Sequence, residues 1–316
     1  MGLDFSKIKT FSAHSRNNLT TLENMLDPQT HTAPPIPDRY AEAFAELVKR
    51  IKKARQNGRP VIFSMGAHVI KLGLSKYVAA LMDGGIITHL AGNGACSIHD
   101  FELAFAGGTA EDVPTAIEDG SFGMWEETGR WMNEAFIMGM QNKKGYGEAL
   151  ACFIDRSPEK FPYKDDCLLY RAHKLGIPCT YHVAIGTDII HQHPAANFAA
   201  IGFTTGQDFK IYCESVSKLD GGVFLNFGSA VIGPEVFLKA LSIARNLGCP
   251  TFDITTANLD LVELGDFRVK IGYDDQNYYY RPRKNIVNRP TSCGGWGWHF
   301  AIDHRVSLPN LVEKIL

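Results

Sequence analysis

A doubly wound, mostly parallel α/β sheet is the fold class that this sequence predicts, on three observations. Short apolar and β-branched runs alternate several times with helical segments, the pattern of βαβ units rather than of hairpins. Loops of small residues stand where strands hand over to helices, the place where open α/β sheets bind ligands. A length of 316 residues with 45% hydrophobic content suffices for one large buried core.

Taken in order, residues 1–38 are polar and irregular and end in Ala33-Pro34-Pro35-Ile36-Pro37. They read as an extended arm suited to lying over a neighbouring subunit. Residues 39–316 read as a single domain. Arg39–Asn57 carries Ala43, Phe44, Leu47, Val48 and Ile51 at helical spacing, and Gly58 and Pro60 close it.

The stretch Val61–Glu102 then holds two strand–loop–helix units. Val61–Ser64 is a strand ending in Met65-Gly66-Ala67-His68, and Leu74, Val78, Leu81 and Met82 give the next helix its apolar face. Ile86–Leu90 is the second strand, followed by the loop Ala91-Gly92-Asn93-Gly94-Ala95. Ser97 and Asp100, spaced S-x-x-D, read as N-cap and N3 of a helix.

Further along, Ala106–Phe122 is a connection and Trp125–Met140 and Tyr163–Leu175 are helices. Cys179–Ile185 is a strand leading into Gly186-Thr187-Asp188, and Asp208–Leu219 is helical. Gly222–Phe227 is a buried strand ending in Gly228-Ser229-Ala230, with Pro234 in the first turn of the helix after it. Thr251–Thr255 is a strand closed by Thr256-Ala257-Asn258. Tyr273–Trp298 is too long for an idle connection and reads as a binding loop, before a short strand and a closing helix at Ser307–Leu316.

Composition narrows the class. Thirty-two basic and 34 acidic residues leave a net charge of −2, which offers nucleic acid no basic field. No apolar run is long enough to span a bilayer, and the first ten residues lack a signal-peptide core. Seven scattered cysteines without a C-x-x-C argue for reduced thiols in a cytoplasm.

Several residues have chemistry to offer. Lys71 reads as lying at a helix start, where a positive charge needs an anionic partner; it is a phosphate contact, an imine-forming amine or a solvated lysine. His99 and Asp100 form a His–carboxylate arrangement able to move a proton. His191 and His193 have i, i+2 spacing, but with no third ligand in view no metal is assigned.

With its loops in place, the chain resembles the deoxyhypusine synthase family from about Arg59 onward. The family's Ser-Asn-Leu-Ile-Ser loop falls on Ala67-His68-Val69-Ile70-Lys71, followed by Gly73. Its Thr-Ala-Gly loop and Gly-x-Glu-Glu-Asp run fall on Asn93-Gly94-Ala95 and Cys96 to Asp100. Its Thr-Asp-Gly-Ser turn resembles Thr187-Asp188, and its glycine-rich turn is similar to Gly228 to Ile232. Its Asn-Thr-Ala lies on Thr255-Thr256-Ala257, and an Asp six residues before a Pro is kept as Asp303.

The resemblance implies a Rossmann-like fold, NAD as cofactor and a homotetramer built as a dimer of dimers. It also implies cofactor contacts from Ala67, His68, Lys71, Asn93, Gly94, Ala95, Asp188, Ser229, Thr256, Ala257 and Asp303.

The family's catalytic half does not match. Its imine-forming lysine falls on Pro290, which has no amine. Its polyamine-binding acids fall on His99, Arg283-Lys284 and the neighbourhood of His191. Two unit charges about 4 Å apart interact by roughly 4 kcal/mol at an effective dielectric near 20, so such an exchange reverses which substrates enter.

The reading is therefore an NAD-binding enzyme for hydride-dependent oxidation or group transfer on a small, anionic molecule, and not a true deoxyhypusine synthase. His99, Asp100 and Lys71 are the catalytic candidates, with His191, Arg283, Lys284 and Arg289 at the substrate. The alternatives are an aminobutyl transferase using a displaced lysine, such as Lys71 or Lys284, and a non-catalytic NAD-binding protein.

Overall fold

The structure, a computed structural model, describes residues 2–316. Its main sheet contains β1 (Val61–Met65), β2 (His89–Asn93), β3 (Cys179–His182), β4 (Val223–Phe227), β5 (Thr255–Asp260) and β6 (Trp296–Ala301). They lie in the order β3-β2-β1-β4-β5-β6, every neighbouring pair parallel. The winding reverses between β1 and β4, where Val61 pairs with Val223 and Met65 with Phe227. The predicted doubly wound, Rossmann-like sheet is present, and that reversal leaves a crevice at the carboxyl ends of the strands.

The helices are α1 (Asp38–Gln56), α2 (His68–Lys71), α3 (Ser75–Asp83), α4 (Gly94–Ala106), α5 (Val113–Asp119), α6 (Glu126–Gln141), α7 (Tyr146–Arg156), α8 (Leu168–Lys174), α9 (Phe198–Ser217), α10 (Ile232–Asn246) and α11 (His304–Ile315). They cover both faces because successive strand residues point to opposite sides. Val61, Phe63, Met65, Val223, Leu225 and Phe227 face one core, with side chains of α1, α3 and α11. Ile62, Phe224, Tyr212, Phe237 and Leu241 make the other, under α9 and α10. Phe63 stacks on Phe227 at 4.7 Å and Phe224 on Phe237 at 3.8 Å. Emptying such an aromatic position costs about 3–5 kcal/mol.

Several boundaries differ from the sequence reading. The second strand begins at His89 rather than Ile86, because Ile86 and Ile87 close the turn after α3 with bonds to Leu81 O. The helix after it starts at Gly94, capped by Asn93, whose Oδ1 accepts from Cys96 N at 3.1 Å. Ser97 lies inside that helix and donates to Gly94 O at 2.7 Å, so the S-x-x-D cap is not formed. Helix α7, with Tyr146, Leu150 and Ile154 buried, was not anticipated.

The run Thr251–Thr255 is not the fifth strand. Phe252 and Asp253 donate their amides to Asp220 Oδ1, and the strand begins at Thr255. Tyr273–Trp298 is not one open loop either. It contains a π-helical turn, Arg283–Asn288, and the start of β6.

Residues of the N-terminal segment pack on the rest of the chain. Thr20 and Thr21 pair antiparallel with Thr109 and Gly108, Leu26 N donates to Gly73 O, and Asn310 Nδ2 holds Pro34 O. No helix among the described residues is long and apolar enough to cross a membrane.

Candidate functional site

At the crevice the two central strands leave no room for side chains. A Cβ on Gly66 would stand 2.7 Å from Gly228 O, and one on Gly228 would stand 2.6 Å from His304 Nε2. Gly228 also has φ of +72°, which glycine adopts without the Cβ penalty. Gly66 N donates to Phe227 O at 2.8 Å, tying the two turns together. Ser229, buried, accepts from Gly233 N at 2.9 Å and so fixes the turn into α10. Ala67 and the exposed His68 form the rim on the β1 side. His304, on the opposite side, has its buried Nδ1 without a partner, and burial lowers its pKa.

One strand further out, Asp188 leans over the start of α4. A Cβ on Gly94 would lie 2.0 Å from Asp188 Oδ2, so a side chain there would push the carboxylate aside. That oxygen is buried without a hydrogen-bond partner. Burial raises the Asp188 pKa to about 6, against a smaller lowering by the Thr187 hydroxyl. The turn that carries Asp188 is held by His191, whose Nδ1 accepts from Gly186 N at 3.1 Å and from Asp188 N at 3.2 Å. His191 Nε2 is buried and unpartnered.

A pocket of about 210 Å³ opens beside Asp188 and is lined in part by Lys71, Ala95, His99, Glu102, Arg16 and Thr187. Its far wall is a buried polar relay. Arg16 grips Glu102 through Nη1–Oε1 at 2.9 Å and Nη2–Oε2 at 2.8 Å. Glu102 also accepts from Thr128 at 2.8 Å and from Thr109 at 2.6 Å. The Thr109 hydroxyl has one proton and gives it to Glu102, so at 2.7 Å it accepts from His99 Nδ1. This fixes the His99 tautomer and leaves Nε2 as the free acceptor. Burial lowers the His99 pKa to about 4, opposed by Glu102 and reinforced by Lys71, Arg16 and His68. The imidazole is neutral at physiological pH.

The structure thus gathers Lys71, Ala95, His99 and Asp188 around one pocket and leaves other candidates outside it. Asp100, one residue from His99, points the other way. Its carboxylate is wholly buried and caps α8, accepting from Leu168 N and Leu169 N at 2.8 Å each. A helix turns successive residues by about 100°, so neighbours do not share a face. Lys71 stands at the end of the single turn α2, where the backbone dipole favours a cation, rather than at a helix start.

Thr256 and Ala257 are likewise displaced from the expected site. They lie in the buried first half of β5, with Thr256 Oγ1 donating to Ile286 O at 2.7 Å. The residue at the site end of that strand is Asp260, which accepts from Tyr280 at 2.6 Å. Asp303 does reach the carboxyl edge, but it caps α11 and pairs with Arg305 at 2.8 Å.

Arg283, Lys284 and Arg289 do come together, in a separate cavity that shares no lining residue with the His99 pocket. The pocket at His99 is therefore of mixed charge, with Asp188, Glu102 and Glu111 against Arg16 and Lys71. The expected charge reversal does not hold there. Pro290, in the place of the family's lysine, is buried with its carbonyl bound by Arg245 at 2.7 Å.

Arg16, Glu102 and His304 escaped the sequence reading. Glu102 gave one signal, a charge three residues after His99 among the apolar positions of α4. The groups of His, Cys, Asp and Glu among the described residues form no metal-holding cluster, and His193 is bound instead to Glu126 at 3.1 Å.

No protein-family model matches the sequence, and no curated protein does. Among solved structures, ArgZ, an arginine dihydrolase from the ornithine–ammonia cycle in cyanobacteria, superposes with a TM-score of 0.51 at 14% identity over 88% of this chain and 33% of its own. AgrE, in a ternary complex with ornithine and NAD+, superposes at 0.50 with 12% identity over 90% and 34%. The chain spans about a third of the length of these two proteins. A putative deoxyhypusine synthase from Entamoeba histolytica covers 88% of both chains at 8% identity and a TM-score of 0.49. At such identities what ArgZ and AgrE share with this chain is the fold.

Proposed function

We propose that this chain is a deoxyhypusine synthase-like, NAD-binding enzyme that moves a hydride to or from NAD while oxidising a small molecule or transferring a group from it, without being a deoxyhypusine synthase. One observation carries the reading: the unpartnered, buried Asp188 Oδ2 over Gly94, one strand from the side-chain-free contact of Gly66 with Gly228. A dinucleotide fits this arrangement. It needs close backbone approach at the strand reversal and a carboxylate for a ribose hydroxyl, and the AgrE complex with NAD+ is built on the same fold.

Ala67, His68, Asn93, Gly94, Ala95 and Ser229 would line the cofactor, with Asp188 accepting from a ribose hydroxyl. NAD, when bound, supplies the hydride acceptor or donor. The chain's own part is proton transfer and orientation. Removing a hydride from an alcohol or amine carbon also requires the O–H or N–H proton to leave. His99 Nε2 is neutral, free and on the pocket wall, so it takes that proton. Thr109 and Glu102 keep the ring in the tautomer that can do so. Lys71 at the mouth holds an anionic group of the ligand, and Asp188 and Glu111 oppose it. This lining suits a small molecule that bears both a carboxylate and an amine. Arg283, Lys284 and Arg289 have no part in this pocket.

Calorimetry with NAD tests the binding step, and the absorbance of reduced nicotinamide on adding amino acids and amines tests turnover. Binding without any absorbance change would leave a non-catalytic NAD protein. A borohydride-trapped polyamine adduct on Lys71 would establish an aminobutyl transferase with a displaced lysine. No binding at millimolar NAD would remove the proposal.

A further inference from the structure

We propose that the cavity beside the start of β6 is a second ligand site, for a small polyanion such as a phosphate ester or diphosphate. The cavity measures about 930 Å³, room for a ligand the size of a nucleotide. Arg268, Lys270, Arg283, Lys284 and Arg289 line it, and no acidic side chain does. The chain as a whole has a net charge of −2, so five cations around one cavity do not follow from composition.

The cations are placed rather than scattered. The π-helical turn Arg283–Asn288 sets Arg283 and Lys284 on one wall, with Arg289 immediately after it; such turns are rare and recur at functional sites. Arg283 is only 4% exposed, one Nη bonds the Val269 carbonyl, and its buried Nε has no partner. A buried guanidinium with a free donor is costly unless something accepts from it. Arg289 Nη1 is steadied by Asn285 Oδ1 at 3.0 Å. Lys284 Nζ sits 4.1 Å from the centre of the Tyr278 ring.

Burial, with Arg289 and Arg281 beside it, lowers the Lys284 pKa. Glu235, the acid acting on Lys284, is already held by Arg281 at 2.8 Å, by Asn285 at 3.0 Å and by Lys239. The cavity thus lacks its counter-charge. A ligand with two or more negative oxygens provides it, since guanidinium forks match phosphate and carboxylate geometry. Trp296, half exposed on the wall, carries Arg50 over its ring at 4.4 Å, and what it leaves uncovered offers an organic part of the ligand an aromatic contact.

The probe is inorganic pyrophosphate, titrated into the full chain by calorimetry at physiological salt, with sodium chloride at matched ionic strength as the blank. One saturable site per chain is expected. Lys284→Gln and Arg289→Gln, neither fully buried, should each weaken it by about tenfold, the loss of one charged hydrogen bond. Their melting temperatures check that both fold. Asp188→Asn should leave pyrophosphate affinity unchanged, and the two cavity variants should leave NAD affinity unchanged.

Absence of saturable binding by the wild type at millimolar pyrophosphate would overturn the site, as would equal affinity in the double variant. Loss of NAD affinity in the cavity variants would mean that the dinucleotide occupies this cavity, and would overturn the separation of the two sites. Failure of NAD binding alone, with pyrophosphate still bound, would count against the crevice reading and leave this one standing.

Discussion

Asp188 holds an unpartnered carboxylate oxygen over the backbone of Gly94, so close that a Cβ there would lie 2.0 Å from it. The two residues are 94 positions apart in the sequence. Their meeting joins the turn after β3 to the first residue of α4.

Gly94→Ala should therefore displace Asp188 and abolish NAD binding in calorimetry. Asp188→Asn keeps the shape and removes the charge, so it should weaken NAD by about tenfold or more, the range for a hydrogen bond to a charged group. Tight binding by Gly94→Ala would disprove the role given to this contact.

The same carboxylate sets a pH dependence. Its pKa is raised to about 6, so it ionises only above that value and accepts best from a ribose hydroxyl there. NAD affinity should fall as the pH drops through 6, and the dependence should vanish in Asp188→Asn. Stability of the ligand-free protein runs the other way. A raised acid contributes stability that is complete below its unfolded value of 3.8 and lost as the pH rises through about 6. His99, lowered to about 4, contributes stability present above 6.5 and lost as the pH falls towards 4. Melting curves of Asp188→Asn and His99→Gln should thus change slope in opposite senses between pH 4 and 6.

Arg16 and Glu102 are 3% and 1% exposed as side chains and meet through two bonds. Removing one partner of such a pair strands a buried charge, at a cost of about 3–5 kcal/mol. Urea unfolding of Arg16→Ala should show a loss of that size. A loss below about 1 kcal/mol, the range of exposed pairs, would contradict the burial of this bridge.

Assembly is the last expectation. Leu3, Phe5, Leu19, Leu261, Tyr273 and Tyr279 are each at least 60% exposed, apolar surface that contact between copies would cover. A homotetramer built from dimers would bury it, and light scattering at micromolar concentration should then give four times the chain mass. A monomer would refute this.

The sheet was legible in the sequence because parallel strands buried on both faces must be short apolar runs, and Val61–Met65 and Val223–Phe227 are such runs. The loops after them were legible because a side chain is excluded where two turns crowd together, as at Gly66, where a Cβ would stand 2.7 Å from Gly228 O. Legibility failed where polar residues carry a strand. Thr255 to Asp260 has little apolar signal, its register is set by Val223 and Trp296 on either side, and so Thr256 and Ala257 were placed at the wrong end.

By itself, then, the sequence determined the doubly wound class and which loops crowd the crevice, since both follow from periodicity and side-chain size along the chain. Only the tertiary structure decided the site. It turned Asp100 away from His99, because neighbours on a helix face different ways. It brought Arg16 from the arm to Glu102, 86 residues on, and it moved Arg283, Lys284 and Arg289 into a cavity of their own. A charge finds its partner through space once the strands have paired, and sequence spacing carries no record of that distance.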